Sequence, residues 1–177
     1  MSPSARAFAL GVATTVAVAA IGAFAFVNAG AYPMGADVPH APLTLRLVDR
    51  LRDASTERAA RSVQVPGNLA DPALIAEGAR EYAEECTGCH LAPGRASSEL
   101  RAGLYPQPPN LVEEGIDDDA EAFWVIKHGI KMSAMPAWGR THDDRRIWSL
   151  VAFARTLPKL SPAQYRALVG TASRDDD

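Results

Sequence analysis

The stretch Cys86-Thr87-Gly88-Cys89-His90 holds both cysteines of the chain, two residues apart, with a histidine directly after the second. Two cysteines cannot build a disulfide framework, and a zinc site would need further soft ligands that no other cysteine supplies. A redox-active Cys-x-x-Cys wants a thioredoxin-like βαβ setting, whereas this chain reads as all-helical. An inert pair of surface thiols would leave His90 without a reason. The spacing is that of a c-type haem attachment site. Each thiol adds to one vinyl group of the porphyrin, and the two-residue gap sets the sulfurs at the two vinyl positions. The histidine is then held where its imidazole can bind iron. Gly88 lets the backbone turn close to the macrocycle. Cys86 and Cys89 are thus the expected covalent attachment points of one haem c, and His90 the expected proximal iron ligand.

A second feature lies at the N-terminus. Phe8 to Val27 contains no charged residue. As a helix this run spans roughly 30 Å, about one hydrocarbon core. Arg6 precedes it, and residues 28–40 contain neither Lys nor Arg. That asymmetry keeps the N-terminus inside and exports the rest of the chain. The run is longer than the roughly 7–15 residues of a signal-peptide core and has a weak basic start, which favours a retained anchor. A cleaved signal remains the alternative, with small residues available at Val27-Asn28-Ala29. The expected location is the inner membrane, single-pass through residues 8–27, with the remainder on the periplasmic side. The net charge of -3 offers no basic field for nucleic acid.

The remaining chain divides by pattern. Residues 1–30 are the anchor or uncleaved signal, 31–69 a linker with an amphipathic helix, 70–160 the haem domain, and 161–177 a short helix and tail. Within 43–63, Leu43, Leu47, Val48, Leu51 and Ala54 share one helical face while Arg46, Asp49, Arg50, Arg52 and Asp53 fill the others. That apolar face is expected to pack on the main domain; lying along the membrane surface or meeting a partner is the weaker alternative. Asp71-Pro72 caps and opens the next helix, whose inner stripe is Ile75, Ala79, Tyr82 and Cys86, beside Gly78. The Pro- and Gly-rich stretch 91–117 excludes a long helix. Another helix starts near Asp118 or Asp119 and stops at Gly129. Thr141-x-x-Asp144 resembles a capping box for a helix running to Leu157, with Ile147, Leu150, Val151 and Ala154 as its stripe. Ser161, Pro162 and Gln164 open a last helix that Gly170 ends, and residues 171–177 read as frayed.

Iron with one histidine has a further axial place. Met132, Met135, His128, His142 and His40 are the candidates. Met135 precedes Pro136, which biases residue 135 away from helix and stiffens the loop. Met135 is therefore the expected distal ligand. Met132 lacks that restraint and reads as packing, His128 and His142 as solvated residues, and His40 has no assigned role.

These residues resemble the class I c-type cytochromes, the single-haem, His/Met-ligated family, over roughly residues 70–160. Gly78, Tyr82 and CTGCH are similar to the family's N-terminal helix, and IWSLVAFARTLP (147–158) to its C-terminal helix. The resemblance implies a cytochrome c fold, all-α, in which these helices cross closely at the glycine, with Trp148 and Phe153 as partners of Tyr82. PPNL (108–111) resembles the family's Pro-x-Leu stretch, which implies that the Pro109 carbonyl accepts the second ring N–H of His90. MPAW (135–138) resembles the Met-Pro loop. More narrowly, the chain resembles a proteobacterial group of membrane-anchored cytochromes carrying GIKMxxMPAW- and PPNL-type motifs.

The expected function is that of an exported, membrane-anchored mono-haem cytochrome that passes single electrons between redox partner proteins of the membrane or periplasm, rather than an enzyme. Filling both axial positions leaves no place for a substrate on iron. Lys127, Lys131 and Arg140 flank the Met loop and read as a solvated face or as a steering patch for an acidic partner. The alternatives are a haem-based sensor or gas-binding module, and a cytochrome subunit of a dehydrogenase complex.

Overall fold

The computed structural model describes residues 2–172 of the 177. Of the tail 171–177 expected to fray, residues 171–172 continue the last helix, and 173–177 lie outside the described residues. The chain divides into two compact units between Val38 and Pro39.

The first unit is built on α1, Pro3–Asn28. Ser2 caps it, its hydroxyl accepting from the Ala5 N–H at 3.2 Å, and Pro3 occupies the first position where a missing N–H costs nothing. None of its residues is buried within the protein; Phe8 and Phe24 are 77% and 71% exposed. Among the described residues it is the one helix long and apolar enough to cross a membrane.

The second unit is all-helical among the described residues, apart from one isolated bridge between Ala92 and Arg95. Its elements are α2 (Pro42–Ala60), α3 (Pro72–Glu85), α4 (Thr87–His90), α5 (Glu99–Ala102), α6 (Asp119–His128), α7 (Asp144–Ala154) and α8 (Pro162–Ala172). Short 3₁₀ turns sit at Trp138–Arg140 and Leu157–Lys159.

The caps follow local chemistry. Asp71 accepts from Ala73 N–H at 2.9 Å, and Asp118 from Glu121 N–H at 2.7 Å. Ser161 and Gln164 form the reciprocal box expected of them, Gln164 Oε1 accepting from Ser161 N–H and Ser161 Oγ from Gln164 N–H. Two boundaries differ from expectation. Asp143, not Thr141, caps α7 by accepting from Arg146 N–H at 2.9 Å. Thr141 is drawn into the preceding 3₁₀ turn, its hydroxyl donating to Trp138 O. That helix ends at Ala154 rather than Leu157, and α8 passes through Gly170 to Ala172.

The core is the crossing of α3 on α7, the most extensive helix contact in the chain, with α8 against α3 and α6 against α7. At the crossing, a Cβ added to Gly78 would lie 1.9 Å from the carbonyl oxygen of Ser149. No side chain fits there, so the glycine sets the interhelix distance. Around it Ala79, Tyr82, Leu150, Phe153 and Leu157 form one buried cluster; Leu74, Phe123, Ile147 and Val151 form a second. Tyr82 meets Phe153 at a ring separation of 5.2 Å, as the resemblance implied. Trp148 does not join them. It stacks on Phe123 of α6 at 4.1 Å, because its position on α7 turns it to that neighbour.

Helix α2 packs against α6, where Thr56 donates to Glu121 at 2.5 Å. Its buried residues are Thr56 and Ala60. The leucine face expected to pack on the domain is instead solvent-exposed: Leu43, Leu47, Val48 and Leu51 are 67%, 61%, 53% and 71% accessible. The inward side is the small and polar one, since close approach to α6 needs short side chains.

Replacing Gly78 with alanine should destabilise the fold by at least about 3 kcal/mol, beyond the usual cost of overpacking, because backbone rather than a movable side chain blocks the methyl. Chemical unfolding monitored by far-UV circular dichroism would measure it; a loss below about 1 kcal/mol would show that the helices slide apart freely.

Candidate haem site

Helix α3 ends at Glu85 and delivers Cys86 at its C-cap, after which α4 is a single turn that carries Cys89 and His90. The turn is fastened from two sides. Ser98, the cap of α5, donates its hydroxyl to the Gly88 carbonyl. Tyr82 donates its hydroxyl to the Leu91 carbonyl at 2.8 Å. Leu91 itself sits at φ 64°, in the left-handed region, and is 2% exposed. A bulky residue there is strained; it turns the chain sharply away after His90. The Tyr82 bond and the strained turn give no local signal in the sequence, because both depend on what packs over them.

Beyond the turn a cleft opens, with about 1230 Å³ of empty space including its mouth. Cys86, Cys89, His90, Pro109 and Met135 all line it. Leu111, Ile116, Val125, Ile126, Leu150 and Trp138 supply apolar wall. Five positions singled out in the sequence, from three separate segments, thus meet in one cavity.

The His90 ring is oriented. Its Nδ1 lies 3.0 Å from the Pro109 carbonyl, which accepts when that nitrogen carries the proton and leaves Nε2 with its lone pair. Burial lowers the imidazole's pKa, Pro109 opposes the shift, and the nearby Arg101 charge adds to it. The ring is thereby kept neutral, the form that ligates metal. Arg101 Nη2 donates to Pro108 O at 2.9 Å, while its Nε is buried without a partner among the described residues.

Burial pushes the Cys86 thiol up to about 12, with the neighbouring Glu85 adding to the shift. A catalytic Cys-x-x-Cys needs the opposite, a lowered pKa that exposes thiolate. Burial likewise raises the Tyr82 phenol, which stays a hydrogen-bond donor. Among the described residues no group of three or more His, Cys, Asp or Glu side chains is placed to hold a metal ion directly.

The Met135 loop is a built structure. Gly129 terminates α6 at φ 66°, and a Cβ there would lie 2.7 Å from both the Met135 oxygen and the Pro136 carbonyl carbon. Ile130 N–H donates to Met135 O at 3.2 Å. Ser133 donates its hydroxyl to Ile130 O and accepts from Met135 N–H at 3.1 Å. Ser133 was not foreseen as part of the site, and its role comes from this clamp.

The other axial candidates lie elsewhere. Met132 is 91% exposed and does not line the cleft, so it is not packing either. His128 is exposed and tilts against Trp124. His40 sets its ring against Tyr105, whose hydroxyl accepts from the His40 N–H at 3.0 Å. His142, expected in solvent, is 7% exposed. It is enclosed by Trp138, Thr141 and Glu81, with Nε2 3.3 Å from the Glu81 carboxylate. Of the flanking cations, Lys127 pairs with Asp144, while Lys131 and Arg140 are exposed. Arg52, from α2, also lines the cleft and was missed, since its sequence context is an ordinary charged helix face.

Residues 73–153 match the family model described as cytochrome c oxidase, cbb3-type, subunit III, just under half of the chain. The match makes these residues similar to a c-type cytochrome domain, and their all-helical fold and apolar cleft suit one. No curated protein and no solved structure matches the chain. The residues that line the cleft fit a covalently bound haem: two thiols, an oriented imidazole, a thioether and an apolar wall.

Gly129→Ala should strain the left-handed residue and displace the Met135–Pro136 backbone together, lowering stability by about 1–3 kcal/mol. Thermal unfolding of the pure protein measures this; an unchanged midpoint would mean that the loop is not braced on Gly129.

Proposed function

We propose that this chain is a membrane-anchored, mono-haem electron carrier whose haem domain lies on the periplasmic side. The observation that carries the reading is the convergence of Cys86, Cys89, His90 and Met135 on one apolar cleft. In this reading Cys86 and Cys89 hold the haem through thioether bonds, His90 is the proximal ligand and Met135 the distal one. When bound, haem supplies a one-electron couple between ferric and ferrous iron.

The chain's own residues set the conditions for that couple. Pro109 holds His90 in one tautomer and one orientation and strengthens its donation. The Gly129–Ser133 clamp holds the Met135 thioether at the cavity, and a thioether favours the ferrous state. The apolar wall disfavours extra positive charge and so acts in the same direction. Fixed side chains on both sides keep the site similar in either oxidation state. That rigidity suits electron transfer better than substrate activation. Lys131 and Arg140, exposed beside the loop, give an acidic partner a favourable approach that weakens with salt.

The family description favours a second reading, in which the chain is a cytochrome subunit of an oxidase assembly rather than an independent carrier. Purification in mild detergent separates the two: a subunit co-migrates with its complex. A haem-based gas sensor would bind carbon monoxide tightly and fast when reduced; a carrier with its thioether in place binds it weakly and slowly.

Two variants test the ligand set. The double variant C86A/C89A should lose its colour on acid–acetone extraction, while wild type keeps it. Met135→Ala should abolish the sulfur-to-iron charge-transfer band and lower the midpoint potential by on the order of 100 mV, a fraction of the roughly 0.8 V that axial ligands span. An unaltered oxidised spectrum would remove Met135 from the axial position.

A further inference from the structure

The outward face of α2 has no role in the haem site. Leu43, Leu47 and Leu51 follow one another at single-turn spacing, with Val48 beside them, and all are more than half exposed. Exposed Arg46, Arg50 and Arg58 flank the ridge. Of the helix's acids, Asp49 and Asp53 are both engaged by Arg52, at 3.0 and 2.8 Å, and Glu57 is exposed. The face turned away from the domain is therefore leucine bordered by three exposed arginines and one glutamate, a net-positive border that suits a helix lying in a bilayer interface. Arginine stems can lie along apolar surface while their heads stay at phosphate level.

The occupant can be argued from size and tether. Four aliphatic side chains on one helix offer a few hundred Å², short of the roughly 1,000 Å² that a stable protein interface buries. A bilayer has no such threshold, because α1 already supplies the attachment. About a dozen residues separate Asn28 from Pro42, and such a segment reaches at most roughly 45 Å when extended. The ridge thus works at the high effective concentration of a tethered site.

We propose that the Leu43–Leu47–Leu51 ridge of α2 docks on the surface of the bilayer that α1 spans, with anionic headgroups meeting Arg46, Arg50 and Arg58. The opposite side of α2 presents Arg52 to the haem cleft. Docking therefore fixes the height and tilt of the cleft above the membrane, and so the approach of a membrane-bound redox partner. The proposal rests on the reading of α1 as a retained anchor and of Cys86 and Cys89 as haem-linked, which leaves an introduced cysteine as the one reactive thiol.

The test uses the full-length holoprotein, one copy per nanodisc of phosphatidylcholine with phosphatidylglycerol. An environment-sensitive fluorophore is placed at Leu47→Cys, and in a separate sample at Arg166→Cys on α8, an exposed control. The label at 47 should be quenched by doxyl groups carried on lipid and at least three-fold less by aqueous iodide than the label at 166. Adding Leu43→Ser and Leu51→Ser should bring iodide quenching at 47 up to the level at 166, with the haem spectrum unchanged. Equal iodide access at 47 and 166 in the leucine-intact protein overturns the proposal. So does lipid quenching that persists without the two leucines, which would mean the label inserts itself. Protection that arises only when two copies share a disc assigns the ridge to self-association and also overturns it. Failure of the chain to co-purify with the disc instead removes the anchor reading, and extra label on Cys86 or Cys89, read by mass spectrometry, removes the thioether reading.

Discussion

The close approach of α3 to α7 at Gly78 is the constraint on which the domain depends. With the Ser149 carbonyl where a methyl would be, the two backbones touch. That contact allows Tyr82 to reach Phe153 and seats Leu150 and Ala154 where they both complete the core and line the cleft. Ion pairs border the crossing, Glu81 with Arg146 and Glu77 with Arg145. Partly exposed, such pairs each contribute about 0–1 kcal/mol, so they align the helices more than they hold them.

From that base the site is assembled by short-range devices. The Tyr82 hydroxyl and Ser98 fasten the turn after the second cysteine, Pro109 orients His90, and Gly129 with Ser133 shapes the Met135 loop. Each device spans only a few ångströms, yet together they bring residue 86 and residue 135 to the same cavity. The cavity wall is largely apolar, which suits a large planar cofactor.

Much of this was legible beforehand, for identifiable reasons. CTGCH is a covalent-chemistry motif whose spacing carries its own meaning. The Asp71-Pro72 and Ser161-Pro162 helix starts were legible because caps are local. Gly129 was legible as a terminator, though not as the brace of the Met135 loop. The readings that failed all depended on a neighbour. Thr141 had the right chemistry for a cap, but the 3₁₀ turn before it took its hydroxyl and passed the role to Asp143. Trp148 went to Phe123, and His142 went inside against Trp138 and Glu81. The leucines of α2 showed an unmistakable periodicity whose direction was still misread. Periodicity defines a face, and only the short residues meeting α6 decided that the opposite face packs inward.

The amino-acid sequence by itself determined the covalent chemistry available, the helical segments and an N-terminal run able to cross a bilayer, because spacing, capping and hydropathy act over a few residues. The tertiary structure alone decided which histidine is buried and which face of α2 looks outward. Those outcomes turn on contacts between residues tens of positions apart, and the geometry of such contacts exists only once the helices have packed.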